Sequence, residues 1–142
     1  MKLYMDCIFC KIIEGELPSY KVYEDKRVLA FLDINPVNKG HVLVVPKEHF
    51  NKFTDAPKDL LKDMISVIQN ISLGVMDAVG AEGFNLGINN GAVAGQIVHH
   101  LHFHIMPRFE NDGLNLWTGK TLTEEEMKRT AENIRRSLAK DY

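Results

Sequence analysis

The feature that most constrains the fold is a run of histidines alternating with apolar residues over positions 100–106, His-Leu-His-Phe-His-Ile-Met. Successive side chains of a β-strand point to opposite faces, so this spacing predicts three imidazoles on one face and apolar side chains on the other. The apolar face is expected to lie on the core, because its burial is what would stabilise such a strand. The sequence therefore predicts a half-buried strand over residues 97–106, ended by Pro107, whose imidazole face lines a cleft or a metal site.

Hydrophobic periodicity elsewhere predicts an α+β fold. Apolar residues at helical spacing over residues 58–79 predict one long amphipathic helix that stops at Gly80. Thr123 and Glu126 form a capping box, which predicts a second helix that runs to about Leu138. Short β-rich runs bounded by turn residues predict strands, the first two forming a hairpin. These strands are expected at residues 22–23, 28–32, 41–45 and 84–88, in an antiparallel sheet.

Length and composition predict a single domain over residues 1–142. The chain is 45% hydrophobic and 25% charged, a balance that is ordinary for a globular core. Its net charge of −2 predicts neither nucleic acid nor an anionic membrane as a partner. The first residues lack the apolar stretch of a signal peptide, and no apolar run is long enough to span a membrane. We expect a cytoplasmic protein.

A glycine-rich loop, Asn-Asn-Gly-Ala-Val-Ala-Gly-Gln at residues 89–96, precedes the histidine strand. Glycine lets a backbone approach a phosphate closely, so its N–H groups could bind an anion there. Taken alone, such a loop is as consistent with a simple turn. Its position next to three histidines at period two favours an anion site.

The two cysteines, Cys7 and Cys10, have the Cys-x-x-Cys spacing that brings two thiols within reach of one metal ion. A pair of free thiols and a thioredoxin-like redox pair are the alternatives, although no βαβ pattern surrounds them. The strand histidines are a second candidate for metal ligands, because two or three of them on one face could hold a catalytic zinc ion. A half-exposed strand that merely carries histidines is the remaining alternative.

Residues 100–106 resemble the His-φ-His-φ-His-φ-φ signature of the histidine triad (HIT) superfamily, in which φ is an apolar residue. Further blocks resemble that family's Hint-like branch and follow its order. They are Ile-Phe-x-Lys-Ile-Ile at 8–13, Phe-x-Asp-Ile-x-Pro at 31–36, Gly-His-x-Leu-Val-x-Pro at 40–46, and the loop at 89–96. The resemblance implies a HIT-like fold, an antiparallel sheet with one long helix and a C-terminal helix, and a homodimer.

The resemblance also implies a hydrolase or transferase that cleaves nucleoside 5′-phosphoramidates or related purine nucleotides, derivatives of AMP or GMP, at the α-phosphate. It makes His102 the nucleophile that forms a nucleotidyl-histidine intermediate, and His104 a contact to the phosphate oxygens. An imidazole with a pKa of about 6.5 is neutral and nucleophilic at neutral pH. Its other nitrogen then needs an acceptor, which we expect to be a backbone carbonyl. The other nucleotide-binding residues implied are Ile12, Phe31 and Ile34 at the base, Asp33 at the ribose, and Asn89, Gly95, Gln96 and Ile97 at the phosphate.

A structural zinc ion, but no catalytic cofactor, follows from the same resemblance. Its implied ligands are Cys7, Cys10, His49 and His100. His41 matches a family position outside the phosphate contacts. His99 is expected to face away from the triad and to serve packing or an interface.

Two positions bear on the substrate. Asn89 agrees with the Hint-like branch, whereas the dinucleoside polyphosphate hydrolases of the family carry Gln there. Ile97 stands where the family carries a Ser or Thr hydroxyl, so we expect weak protonation of a phosphoramidate leaving group. A dinucleoside polyphosphate hydrolase and a non-catalytic nucleotide-binding regulatory protein are the alternative functions, and Asp33 could serve only to shape a turn.

Overall fold

The computed structural model describes residues 6–140 of the protein. The chain divides into two compact units, Met1–Asp112 and Gly113–Tyr142. Within the described residues, the first unit holds the sheet and two helices, and the second holds one helix. No helix in residues 6–140 has both the length and the apolar character needed to cross a membrane.

One five-stranded sheet forms the centre of the first unit. Its strands are β1 (Lys21–Glu24), β2 (Val28–Leu32), β3 (Val42–Pro46), β4 (Gly83–Ile88) and β5 (Phe103–Arg108). They lie in the order β1-β2-β3-β5-β4, and every neighbouring pair is antiparallel. The predicted antiparallel sheet and its first hairpin are confirmed. Because β5 lies between β3 and β4, the histidine it carries, His104, lies in the interior of the sheet.

The helices begin and end where local chemistry predicts. They are α1 (Ile8–Ile13), α2 (Lys58–Val79) and α3 (Glu124–Leu138). Helix α2 ends at Gly80, whose φ of 71° is a left-handed conformation that glycine adopts without strain. Helix α3 begins with the predicted capping box, in which the Thr123 hydroxyl accepts from the Glu126 N–H and the Glu126 carboxylate accepts from the Thr123 N–H.

Both faces of the central strands are buried, which explains their continuous apolar runs. One core cluster joins the sheet to α2 and includes Phe103 and Ile105 of β5. A second cluster on the other face joins the sheet to α1 through Phe9 and Ile12. The predicted division of the histidine strand is therefore correct over β5, where the apolar side chains lie on the α2 side.

The strand predicted over residues 97–106 is wrong at both ends, since β5 spans Phe103–Arg108. It starts late because residues before it bond outside the sheet: the Leu101 N–H donates to the carbonyl of Phe50 at 2.7 Å. At its other end the strand continues through Pro107, which pairs with Phe84 of β4. His100 and His102 therefore precede the strand, and only His104 belongs to it.

Candidate active site and metal centre

The three triad histidines occupy three different environments. His100 is fully buried, His102 is 7% exposed just before β5, and His104 lies within β5. The His102 and His104 rings are neighbours, with centroids 4.9 Å apart. Phe9 of α1 packs edge-on against His102 at 5.1 Å between ring centroids. Helix α1 therefore covers the imidazole side of this stretch.

The proton on His102 is assigned by its partner. Nδ1 lies 2.7 Å from the carbonyl oxygen of His100, which can only accept, so Nδ1 carries the hydrogen. This is the backbone carbonyl that the sequence argument requires. Burial lowers the pKa of His102, partly offset by that carbonyl and by Asp33, which keeps the ring neutral at neutral pH. Nε2 is left with its lone pair, the arrangement that a nucleophilic imidazole needs.

His104 has the opposite arrangement, and His41 sets it. The backbone N–H of Val37 donates to His41 Nδ1 at 3.1 Å, so the hydrogen of His41 lies on Nε2. That Nε2 is 2.9 Å from His104 Nδ1, which must accept. The hydrogen of His104 therefore lies on Nε2, a buried atom without a hydrogen-bond partner among the described residues. Burial lowers the pKa of His104 to about 4, so this group is a neutral donor available to a ligand oxygen.

Asp33 joins this pair through His41. Its Oδ2 lies 3.6 Å from His41 Nε2, while its Oδ1 accepts from the Asn35 N–H at 2.8 Å and so shapes the turn after β2. Ligand atoms of Asp33, His41 and His104 all lie within 4.8 Å of one another. A metal ion does not suit this group, because the Val37 hydrogen bond leaves His41 Nε2 protonated and without a lone pair to donate.

The side chains predicted to surround a base are only partly brought together. Ile12 and Phe31 are 9% and 3% exposed, respectively, and both belong to the core cluster beneath α1. Ile34 is 79% exposed on the segment that follows β2. Ile12 and Phe31 could contact one face of a base, and Ile34 is the one of the three side chains that is largely exposed to solvent.

Four of the eight backbone N–H groups of the glycine-rich loop have acceptors within the loop. It contains a single 3₁₀ turn, Ala92–Ala94, flanked by Gly91 and Gly95 with φ values of 91° and 94°. The N–H groups of Gly95 and Gln96 donate to carbonyls within the loop, at 3.0 Å and 3.1 Å. These are the groups predicted to donate to a phosphate, and in the structure they already have acceptors. These hydrogen bonds within the loop hold the turn between Gly91 and Gln96.

The side-chain amide of Gln96 is likewise hydrogen-bonded to backbone groups of the protein. The residue is 4% exposed, its Oε1 accepts from the Gly91 N–H, and its Nε2 donates to the carbonyls of Asn51 and Val98. Because both amide hydrogens have backbone acceptors, the predicted donation to phosphate is replaced by a role in holding the loop. Asn89 lies against Gly95, where an added Cβ would be 3.4 Å from Asn89 Nδ2. Ile97 is 88% exposed.

A second cluster lies where the sequence predicts zinc ligands. One ligand atom from each of Cys7, Cys10, His49 and His100 lies within 4.8 Å of the other three. The Nδ1 atoms of the two histidines are 3.1 Å apart, and Cys10 Sγ is 3.3 Å from His49 Nδ1. His100 Nε2 donates to the Pro46 carbonyl at 2.8 Å, which leaves the Nδ1 lone pair facing the cluster.

The chemistry of this cluster fits a metal ion. Two thiols and two imidazoles are a ligand set that tetrahedral zinc prefers. Cys7 is the N-cap of α1 and accepts from the Cys10 N–H at 3.3 Å, so the helix start fixes both sulfurs. Burial raises the pKa of the Cys10 thiol to about 12, a cost that a bound cation would offset by favouring the thiolate. These residues could hold a metal.

Comparison with known proteins identifies the family. The model of the HIT domain family matches residues 14–111, which is more than half of the chain. This chain belongs to the HIT superfamily, in its Hint-like branch. The matched range includes His41 and the triad, whereas Cys7, Cys10 and α3 lie outside it.

Among HIT relatives, an uncharacterized HIT-like protein of Methanocaldococcus jannaschii is 56% identical over 75% of this chain and 82% of its own length. Adenylylsulfatase HINT3 of Arabidopsis thaliana is 44% identical over 89% of this chain and 63% of that protein. Adenosine 5′-monophosphoramidase HNT1 of Candida albicans is 37% identical over 99% and 96%, respectively.

Solved HIT structures resemble this one closely. The crystal structure of a HIT family member from Bacillus subtilis has a TM-score of 0.87 at 40% identity, covering 96% of this chain and 99% of that one. A zinc-bound HIT family protein from Mycobacterium smegmatis has a TM-score of 0.74 at 36% identity, covering 96% and 99%, respectively. The predicted HIT-like fold is confirmed.

One feature of the site was not predicted from the sequence. His41 is expected there to lie outside the phosphate contacts, yet its side chain sets the hydrogen on His104. The block at residues 40–46 contains the available signal, because a histidine at the start of a buried apolar strand is itself expected to be buried and to need a hydrogen-bond partner. His99, expected to pack or to form an interface, is exposed in this chain.

Proposed function

We propose that this protein is a purine nucleotide hydrolase or transferase that cleaves nucleoside 5′-phosphoramidates or related nucleotides at the α-phosphate. The observation that carries the proposal is that the hydrogen-bond partners of two adjacent rings assign them opposite tautomers. His102 Nε2 keeps a lone pair, and His104 Nε2 carries a hydrogen with no acceptor among residues 6–140. A nucleophile beside an oxyanion donor is what phosphoryl or nucleotidyl transfer requires. The names of the HNT1 and HINT3 relatives support the same class of reaction.

In the proposed first step His102 Nε2 attacks the α-phosphorus. A P–N bond forms as the bond to the leaving group breaks, and the leaving group takes the electron pair of that bond. An amine leaving group also takes a proton from solvent, whereas sulfate or a nucleotide leaves as an anion. The positive charge that develops on His102 is stabilised by the hydrogen bond from Nδ1 to the His100 carbonyl. The His104 Nε2–H donates to a non-bridging oxygen, where negative charge increases in the transition state.

The second step regenerates the enzyme. Water, or another acceptor in a transferase reaction, attacks the phosphorus of the nucleotidyl-histidine. The P–N bond breaks with its electron pair returning to His102 Nε2. When water is the acceptor, it releases a proton to solvent and a nucleoside monophosphate leaves with the new P–O bond; another acceptor leaves as its nucleotidyl derivative. Splitting one displacement into two replaces a difficult direct attack by water with two easier steps.

The nucleoside would be held by the residues around this pair. We propose that Asp33 accepts from the ribose hydroxyls, that Asn89 contacts the phosphate region, and that the loop with Gly95, Gln96 and Ile97 forms the wall of that site. The base would lie against Ile34 over Ile12 and Phe31. Ile97 brings no hydroxyl to the leaving group, which favours leaving groups that depart as stable anions.

A structural zinc ion is also proposed, held by Cys7, Cys10, His49 and His100. When bound, it would supply a cross-link between the start of α1 and the stretch that precedes β5, and no part in the bond-breaking steps. The zinc-bound HIT structure from Mycobacterium smegmatis supports a metal in this family.

We further propose a homodimer and one HIT domain over residues 1–142. Strand β4 is an edge of the sheet, and it exposes Phe84 and Leu86. Helix α2 exposes Leu73, which is 73% accessible. An open strand edge with exposed apolar side chains favours pairing with a second copy.

Rapid-quench kinetics on a substrate panel tests the reaction. Adenosine phosphoramidate, adenylyl sulfate and diadenosine polyphosphate are each mixed with excess protein. Samples are quenched with denaturant at alkaline pH, where the P–N bond of the adduct survives, and are analysed by mass spectrometry. We expect a nucleotidyl adduct on His102 and a turnover loss of roughly 10⁴-fold or more in His102→Gln. An adduct on another residue, or full turnover by His102→Gln, would contradict the mechanism. The substrate that forms the adduct fastest distinguishes a phosphoramidase from a dinucleoside polyphosphate hydrolase. Binding of a nucleotide without turnover of any of the three substrates would favour a regulatory protein.

A further inference from the structure

Two stretches of chain lie side by side between the metal cluster and the glycine-rich loop, and we call them the clip. The clip consists of residues 49–53 and residues 96–101. Next to the metal ligands, the Leu101 N–H donates to the Phe50 carbonyl at 2.7 Å. Phe50 also packs on the core cluster beneath α2, and Leu101 is 1% exposed. The clip is therefore fixed to the core beside His49 and His100.

At one end of the clip stand two of the proposed metal ligands. His49 is the first residue of one stretch, and His100 is next to last in the other. Their Nδ1 atoms lie 3.1 Å apart, with Cys10 Sγ within 3.5 Å of both. Two imidazole nitrogens at this distance favour binding a shared cation. A metal ion here would hold the two stretches together.

At the other end Gln96 makes the connection. Its Nε2 donates to the Asn51 carbonyl at 2.7 Å, and its Oε1 accepts from the Gly91 N–H at 2.9 Å. One buried carboxamide thus ties the clip to the loop. A second tie lies close by, where the Phe53 N–H donates to Asn90 Oδ1 at 2.8 Å. Both ties cross from residues 49–53 to the loop, so a shift of this stretch would displace the loop.

We propose that Gln96 is a positioning residue that couples metal binding at the Cys7–Cys10–His49–His100 cluster to nucleotide affinity at the loop. This inference rests on the proposed nucleotide site. A cation holds His49 and hence residues 50–53, those residues hold Gln96 and Asn90, and these two hold the loop in its ligand-binding conformation. The coupling is reciprocal by thermodynamic necessity, so a bound nucleotide must retain the metal more tightly.

The test measures the equilibrium release of zinc from the loaded protein, because the reciprocity holds for binding free energies. The partition of zinc between the protein and a chromogenic chelator is measured with and without saturating adenosine 5′-monophosphate in the wild type, in Gln96→Met and in Gln69→Met. Methionine matches the length of Gln96 but removes its three hydrogen bonds, and Gln69 is an exposed glutamine of α2 that serves as the control. We expect the nucleotide to lower the Kd for zinc by about 5-fold or more in the wild type and the control, and by less than about 2-fold in Gln96→Met.

Asn90→Ala provides a second variant in case Gln96→Met does not fold. Asn90 is exposed, so its truncation removes the acceptor of the Phe53 N–H without opening the core. We expect it to weaken the effect of the nucleotide on zinc release. An undiminished effect in a folded Gln96→Met protein, or in Asn90→Ala where that is the variant that folds, would overturn the proposal. So would nucleotide binding to the wild type that leaves zinc release unchanged. Failure of the loaded wild type to bind the nucleotide at all would instead count against the proposed function itself.

Discussion

In the metal cluster His100 donates from Nε2 to a backbone carbonyl, whereas four residues later His104 accepts at Nδ1 from the side chain of His41. His102, between them, donates from Nδ1 to a backbone carbonyl. The partner of its other nitrogen therefore suits the same side chain to three different proposed roles: metal ligand, nucleophile and donor. Two of these states are fixed by the backbone, and one depends on a side chain that substitution can remove.

This difference predicts that the donor is the most vulnerable of the three states. In His41→Leu, His104 loses the hydrogen bond that keeps the hydrogen on Nε2, so the ring can adopt the other tautomer. We expect kcat to fall by roughly 100-fold, the scale of losing one oxyanion donor. Steady-state kinetics on the best substrate measures this, with His99→Leu as the control because His99 is exposed.

An unchanged kcat in His41→Leu would contradict the claim that the His104 tautomer depends on a side chain, since His104 would then keep its tautomer without His41. The control variant should keep its kcat within about 2-fold. A loss that appears only in KM would show that His41 acts on substrate binding instead. Zinc content should be the same in both variants, because neither His41 nor His99 is among the proposed ligands.

A smaller effect on turnover is expected from the metal cluster. In Cys7→Ser the proposed zinc loses a sulfur ligand and α1 loses the sulfur that caps it. We expect zinc content to fall well below one ion per chain and the Tm to fall by about 5–10 °C. At saturating substrate, turnover should fall only a few-fold, because the carbonyl that orients His102 belongs to the chain itself.

Elemental analysis, thermal unfolding and saturation kinetics on the same preparation check this prediction. A Cys7→Ser protein with the zinc content and Tm of the wild type would contradict the metal centre. A turnover loss as large as that of His41→Leu would show that the two regions are not separable. Either result would change the assignment of His100.

The features that depend on the local spacing of residues could be predicted from the sequence. Period two places Phe103 and Ile105 on the core side, and Thr123 marks the start of α3. The family blocks bring Cys7 and His49 to one cluster although 42 positions separate them in the sequence. Each of these features depends on a repeat, a helix cap or a motif that can be recognised in the amino-acid sequence.

The remaining features depend on hydrogen-bond partners that no local sequence pattern predicts. The start of β5 is delayed because the Leu101 N–H bonds to the carbonyl of Phe50, 51 positions earlier in the sequence. The role of Gln96 is decided by where the Asn51 carbonyl points. The hydrogen on His104 depends on a backbone N–H of Val37 acting through His41. Sequence spacing predicts which residues meet, but not which atom of each faces the other.

The most direct measurement of these assignments is long-range ¹H–¹⁵N NMR of the histidine rings in the zinc-loaded protein at neutral pH. It identifies the protonated nitrogen of each neutral imidazole, and single His→Gln variants assign the signals. We predict the hydrogen on Nδ1 of His102 and on Nε2 of both His100 and His104. A hydrogen on Nε2 of His102 or on Nδ1 of His104 would contradict the roles of nucleophile and donor.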